Sequence, residues 1–188
     1  MRPSVRSLRC LAALVLVASL ACHRIGSAPA DPAVRSGMSD GNIVAVILAS
    51  DNTDLSYARL VPPRARSADV KSFAQRMTTD HTILNAKIND IAQRQGINPE
   101  NNAVSLDMVD HSANVRDVLR ELDGARFDSA YVASEVQYHS NFLAMINTAL
   151  LPNARNAELR EFVNLLKPAV SAHLAHAEQM RAALATKK

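Results

Sequence analysis

The chain has no tryptophan and only five glycines in 188 residues. Such a balance, with alanine and leucine abundant, favours helices over a turn-rich β fold. Cysteine is almost as scarce, with Cys10 and Cys22 alone. Cys10 falls in an N-terminal segment that reads as removable, so the mature chain holds at most one thiol, Cys22, and no intramolecular disulfide. Charge of one sign is lacking too. The formal net charge is +3. Residues 1–21, however, carry Arg2, Arg6 and Arg9 and no acid, which leaves 18 basic against 18 acidic side chains. A neutral mature chain has no basic stripe for phosphates, so nucleic acid is excluded as a partner. Also missing are a glycine-rich phosphate loop, a His-Glu-x-x-His pair, paired cysteines and a Gly-x-Ser-x-Gly elbow.

What is present begins with an address. Behind the three arginines, Leu11 to Ala21 is an apolar run too short to span a bilayer core of roughly 30 Å. It reads as a signal peptide over residues 1–21. Two cleavage readings compete. Ser19-Leu20-Ala21-Cys22 resembles a bacterial lipoprotein signal, with Ser19 where leucine is usual, and would attach the protein to a membrane through lipidated Cys22. Ordinary cleavage after Ala21 or after Ala30 is the other. Either sends the protein out of the cytoplasm, as a periplasmic or outer-membrane lipoprotein species. Residues 22–40 lack periodicity and read as a flexible tether; residues 186–188 are a tail.

Residues 41–185 read as one all-α domain, a four-helix bundle. Four segments keep heptad spacing, the mark of helices packed side by side. The first runs from Ile43 through Ile47, Ser50, Asp54 and Tyr57 to Pro62-Pro63. The second runs from Val70 through Met77, His81 and Ile88 to Gly96. The third runs from Val132 through His139 and Ile146 to Pro152. The fourth runs from Leu159 through Leu166 and His173 to Leu184. Short links predict two antiparallel hairpins. The long stretch between them, partly helical through Val104, Met108, Val115, Val118 and Leu122, is the crossover of a ferritin-like bundle. A faint repeat relates Ser67–Phe73 to Asn156–Phe162.

Each seam carries one strongly polar residue: Asp54, His81, His139 and His173. Buried carboxylates and imidazoles must be paired or bind a metal. Three imidazoles and a carboxylate suit Zn, Fe or Cu. The same residues also fit a hydrogen-bonded layer that fixes helix register. His111 shares the seam spacing in the crossover. Glu135 and His176 read as rim residues, and Tyr57, Tyr131 and Tyr138 as core-boundary aromatics. Asp80 points about 100° away from His81. Pro168 is expected to kink the last helix. Counting from the helix ends sets Asp54 and His81 roughly 9 Å apart in height, awkward for a shared ion.

At these residues the sequence resembles the bacterial family called domain of unknown function 4142, similar in fold to ferritins, over about residues 41–185. The resemblance rests on Val70-Lys71-Ser72-Phe73-Ala74-Gln75-Arg76-Met77 with Asp80-His81, then Gly124-Ala125-Arg126-Phe127-Asp128 with Tyr131. It continues through His139 to Lys167-Pro168-Ala169-Val170 and His173-Leu174. The family usually has Glu where Asp54 stands, after a Gly pair that is Asn52-Thr53 here. The resemblance implies an exported helical bundle that is a candidate for metal binding, and no established reaction. The Glu-x-x-His pairs of di-iron bundles are absent, which gives no footing for a ferroxidase or an iron store.

The expectation is therefore a non-enzymatic cell-envelope protein with a buried His/Asp layer. The alternative is a periplasmic redox or detoxifying metalloenzyme built on that layer. Intact-mass measurement of the protein made in bacteria is expected to show loss of residues 1–21. Recovery of the full-length chain as the stable cytosolic form would overturn the export reading.

Overall fold

The structure, a computed structural model, describes residues 37–186. The expected signal peptide, Cys22 and most of the tether lie outside the described residues. Five long helices are present: α1 (Asp40–Ala58), α2 (Ala68–Gln95), α3 (Ala103–Arg120), α4 (Gly124–Met145) and α5 (Ala157–Thr186). No strand occurs among the described residues. No helix among them is long and apolar enough to cross a membrane.

Local chemistry sets the ends. Ser39 and Asn42 form a capping box at the start of α1, and Asn102 and Ser105 form another at α3. Ser67 caps α2, and Gly96 closes it in the left-handed conformation at φ 64°. Pro62 and Pro63 do not simply stop α1. They sit in a separate helical turn, Val61–Arg64. Likewise α4 runs on through a π turn, Ile146–Leu150, into a short turn holding Pro152. Pro168 lies inside α5 on its exposed side, where the carbonyl it leaves unbonded faces water.

α1 with α2, and α4 with α5, form the two expected hairpins. The crossover is a full helix, α3, lying along α1. Asn42 Nδ2 donates to the Glu100 carbonyl at one end, and Arg64 donates to the Leu122 carbonyl at the other. α3 therefore runs parallel to α1 and returns the chain to the end where α2 began. The order of the four core helices is up, down, down, up, the connectivity of a ferritin-like bundle. Of the apolar residues expected in α3, Val104, Met108, Val115 and Leu122 pack against the core, whereas Val118 is 63% exposed. The fully buried line of α3 is Ser105, Ser112 and Leu119, one heptad apart. Small serines let the two backbones approach closely. His111 is exposed despite its seam spacing.

The faint repeat is structural. The Asp128 carboxylate accepts the backbone N–H groups of Arg66 and Ser67 at 3.1 and 2.9 Å, just ahead of α2. Asp40 accepts those of Arg155 and Asn156 at 2.8 and 2.9 Å, just ahead of α5. Each hairpin thus offers a carboxylate to the helix start of the other. Near the middle, Tyr138 donates to the Ser50 carbonyl at 2.8 Å and meets the Ser50 hydroxyl as well.

Asp128 is buried whereas Asp40 is half-buried. Asp128→Ala leaves two partly buried N–H groups without their acceptor and is expected to cost about 1–3 kcal/mol. Asp40→Ala is expected to cost less, because water replaces the lost acceptor. Urea midpoints measure both, and an equal effect of the two would refute this account of the joints.

Candidate metal centre

The core is not continuous. One apolar cluster gathers Ile43, Ile47, Ile88, Phe142, Leu159 and Leu166. The other gathers Tyr57, Phe73, Met77, Phe127, Tyr131 and Met180. Between them lie Asp51, Asp54, His81, Glu135, His139 and His173, all buried. α1 supplies the two aspartates, α2 and α5 one histidine each, and α4 the Glu135/His139 pair one turn apart.

All four seam residues expected from the sequence meet here. His81 Nε2 lies 3.0 Å from Asp54 Oδ2, and His139 Nε2 lies 3.3 Å from the same oxygen. The His81 ring is centred 6.1 Å from His139 and 5.6 Å from His173. The expected offset in height between Asp54 and His81 is thus corrected. Asp54 is only about 6 Å before the end of α1 and His81 about 20 Å after the start of α2. The link at 59–67, with its own helical turn, carries the start of α2 well past the end of α1.

Three further residues belong to the site. Asp51, three places before Asp54 on the same helix face, accepts from His81 Nδ1 at 2.8 Å. Asp80 accepts from His173 Nε2 at 2.9 Å. Its 100° offset from His81 turns it towards α5 rather than away from the site. Glu135 is fully buried, not a rim residue, and its Oε2 is 3.4 Å from His139 Nδ1. The i,i+4 spacing to His139 is the signal that places it. His176 stays at the edge, half-buried, with its ring 5.1 Å from that of Phe73. Tyr57 and Tyr131 are fully buried and roof the layer, while Tyr138 is half-buried with its ring 5.1 Å from the His139 ring.

Each imidazole has one nitrogen committed to an outer acceptor. For His81 it is Nδ1 to Asp51; for His139, Nδ1 to the Glu135 carbonyl at 2.9 Å; for His173, Nε2 to Asp80. The other three nitrogens, His81 Nε2, His139 Nε2 and His173 Nδ1, are buried without a hydrogen bond. Both oxygens of Asp54 and both of Glu135 are equally unbonded. The short His81–Asp54 approach is therefore an ion-pair distance without hydrogen-bond alignment.

Electrostatics separates these groups. Burial pushes the Asp54 carboxyl upward, but the imidazoles, His81 foremost, outweigh it and hold Asp54 below its ordinary value. Burial pulls His81 down, yet Asp54 and Asp51 together lift it to about 10. Burial dominates at His139, which falls to about 4, and at His173, which also falls. Burial, then the charge of Asp54, raises Glu135 well above the carboxylate range.

Two trios can each bring one ligand atom within 4.8 Å of the others: His81, His139 and His173, and Asp54, Glu135 and His139. Nitrogen-rich and carboxylate-completed, this donor set fits a first-row transition ion rather than Ca²⁺ or Mg²⁺, which take oxygen ligands. The outer acceptors fix each ring as metal-binding histidines require.

No curated protein and no solved structure matches this chain. A family model does, over residues 26–180, and its description is domain of unknown function, DUF4142. The five-helix bundle, with its buried layer, belongs to that family.

Proposed function

We propose that this protein holds one transition-metal ion in the layer between its two apolar clusters. His81, His139, His173 and Asp54 are the ligands, with Glu135 completing or neutralising the set. The observation that carries the reading is the pattern of unbonded nitrogens. Three imidazoles are oriented from outside, and each leaves its free nitrogen in a buried space shared with an unbonded carboxylate. A purely structural layer would have these atoms hydrogen-bonded to one another, since each buried unpaired polar group costs about 1–3 kcal/mol. A cation among them satisfies several at once.

The ligands come from all four core helices, so a bound ion clamps the bundle at its weakest level. Every proposed ligand is buried. That favours holding or sequestering an ion over work on an organic substrate, and leaves room for chemistry only on species as small as water. The arginine-rich leader and Cys22 support the cell envelope as the place of action.

Elemental analysis of the purified protein is expected to find one Zn, Fe or Cu per chain. Added metal is expected to raise the thermal midpoint in a concentration-dependent way, since an ion that binds only the native state stabilises it by mass action. His81→Ala, His139→Ala and His173→Ala each remove both effects, whereas the exposed His111→Ala retains them. Absence of stoichiometric metal, with a midpoint indifferent to metal and chelator, would sink the proposal.

A further inference from the structure

The metal reading leaves open how an ion reaches a layer whose ligands are all buried. Four walls and two ends enclose it. The ends are the apolar clusters, closed on one side by Tyr57 and Tyr131 and on the other by Phe142 and Val170. On the α1 side the outer acceptor Asp51 is itself buried, and α3 covers the helix. On the α4 side Glu135 is fully buried, and the stacked rings of Tyr138 and Phe142 flank His139. The wall between α2 and α5 is different. There the outer acceptor is Asp80, whose side chain is 39% exposed while that of His173 is 5% exposed.

Two chemical features sit on this seam. His173 presents Nδ1 to the layer and Nε2 to Asp80, so a single hydrogen bond to a surface carboxylate latches the ring in place. Pro168, little more than one turn before His173, removes one backbone hydrogen bond from α5. One backbone hydrogen bond is therefore missing from the helix near the one ligand whose anchor touches water.

We propose that the Asp80–His173 pair is the port through which the ion enters and leaves. Asp80 is a positioning residue with two duties. Its charge draws the cation to the seam, and its hydrogen bond holds His173 closed behind it. The inference rests on the metal reading above.

The test follows Co²⁺, whose absorption reports ligation, into the metal-stripped full chain and out of the loaded chain against excess chelator. Asp80→Asn keeps an acceptor for His173 but loses the charge. It is expected to slow capture and to flatten the dependence of capture on salt, with release little changed. Asp80→Ala loses the latch as well and is expected to speed release by roughly tenfold. Asp110→Asn, an exposed carboxylate on α3 over the sealed wall, is expected to leave the capture rate and its salt dependence as in the unaltered protein. Circular dichroism confirms that each variant is folded. Cobalt bound by the unaltered protein, with both Asp80 variants exchanging at its rates or with Asp110→Asn slowing capture equally, would overturn the port alone. No cobalt binding at all would overturn the metal reading, and the port with it.

Discussion

Unbonded polar atoms across the middle of the bundle are the constraint to which the rest of this structure answers. An ionised carboxylate among imidazoles is tolerable in an apolar interior only when something positive compensates it. Here His81, lifted to about 10, supplies that charge, and Asp51, the Glu135 carbonyl and Asp80 each hold one histidine from outside. Those anchors decide which nitrogen of each ring turns inward. Splitting the core into two apolar clusters is the price of that arrangement, and the joints at Asp40 and Asp128 lie at the two ends, beyond the clusters.

The helices divide the labour accordingly. α1 bears both aspartates and is covered by α2 on one side and α3 on another. It has no wide solvent face, and most of its length is buried. That is how two carboxylates three residues apart come to lie far from water. α2, α4 and α5 supply the remaining donors, and Pro168, on the exposed side of α5, removes one backbone hydrogen bond from that helix.

Heptad spacing in the sequence finds the inward face of each helix, and so it brought Asp54, His81, His139 and His173 together correctly. It says little about residues beside the seam. Asp51 drew no reading and Asp80 read as pointing away, because their partners sit on neighbouring helices, and Glu135 looked peripheral because its depth is set by packing between helices. Height along the bundle was misjudged because the 59–67 link adds a helical turn that the two prolines disguise as a stop. In the crossover the apolar spacing found Val104, Met108, Val115 and Leu122, but not Ser105 and Ser112, which are buried although polar. Family resemblance anticipated the architecture, while the tautomer of each ring depended on distances alone.

The paired hairpins have a consequence for design. Aligning the halves through Ser50 with Tyr138, and through Ser67 with Asn156, puts Asp51 opposite His139. Asp54 then corresponds to Phe142, His81 to Val170, and His173 to Leu84. The repeated frame therefore sets a polar side chain opposite an apolar one at Asp54, His81 and His173, while Asp51 and His139 exchange places. The backbone already holds a second set of positions related to the site by rotation, and only side chains distinguish the polar set from the apolar one.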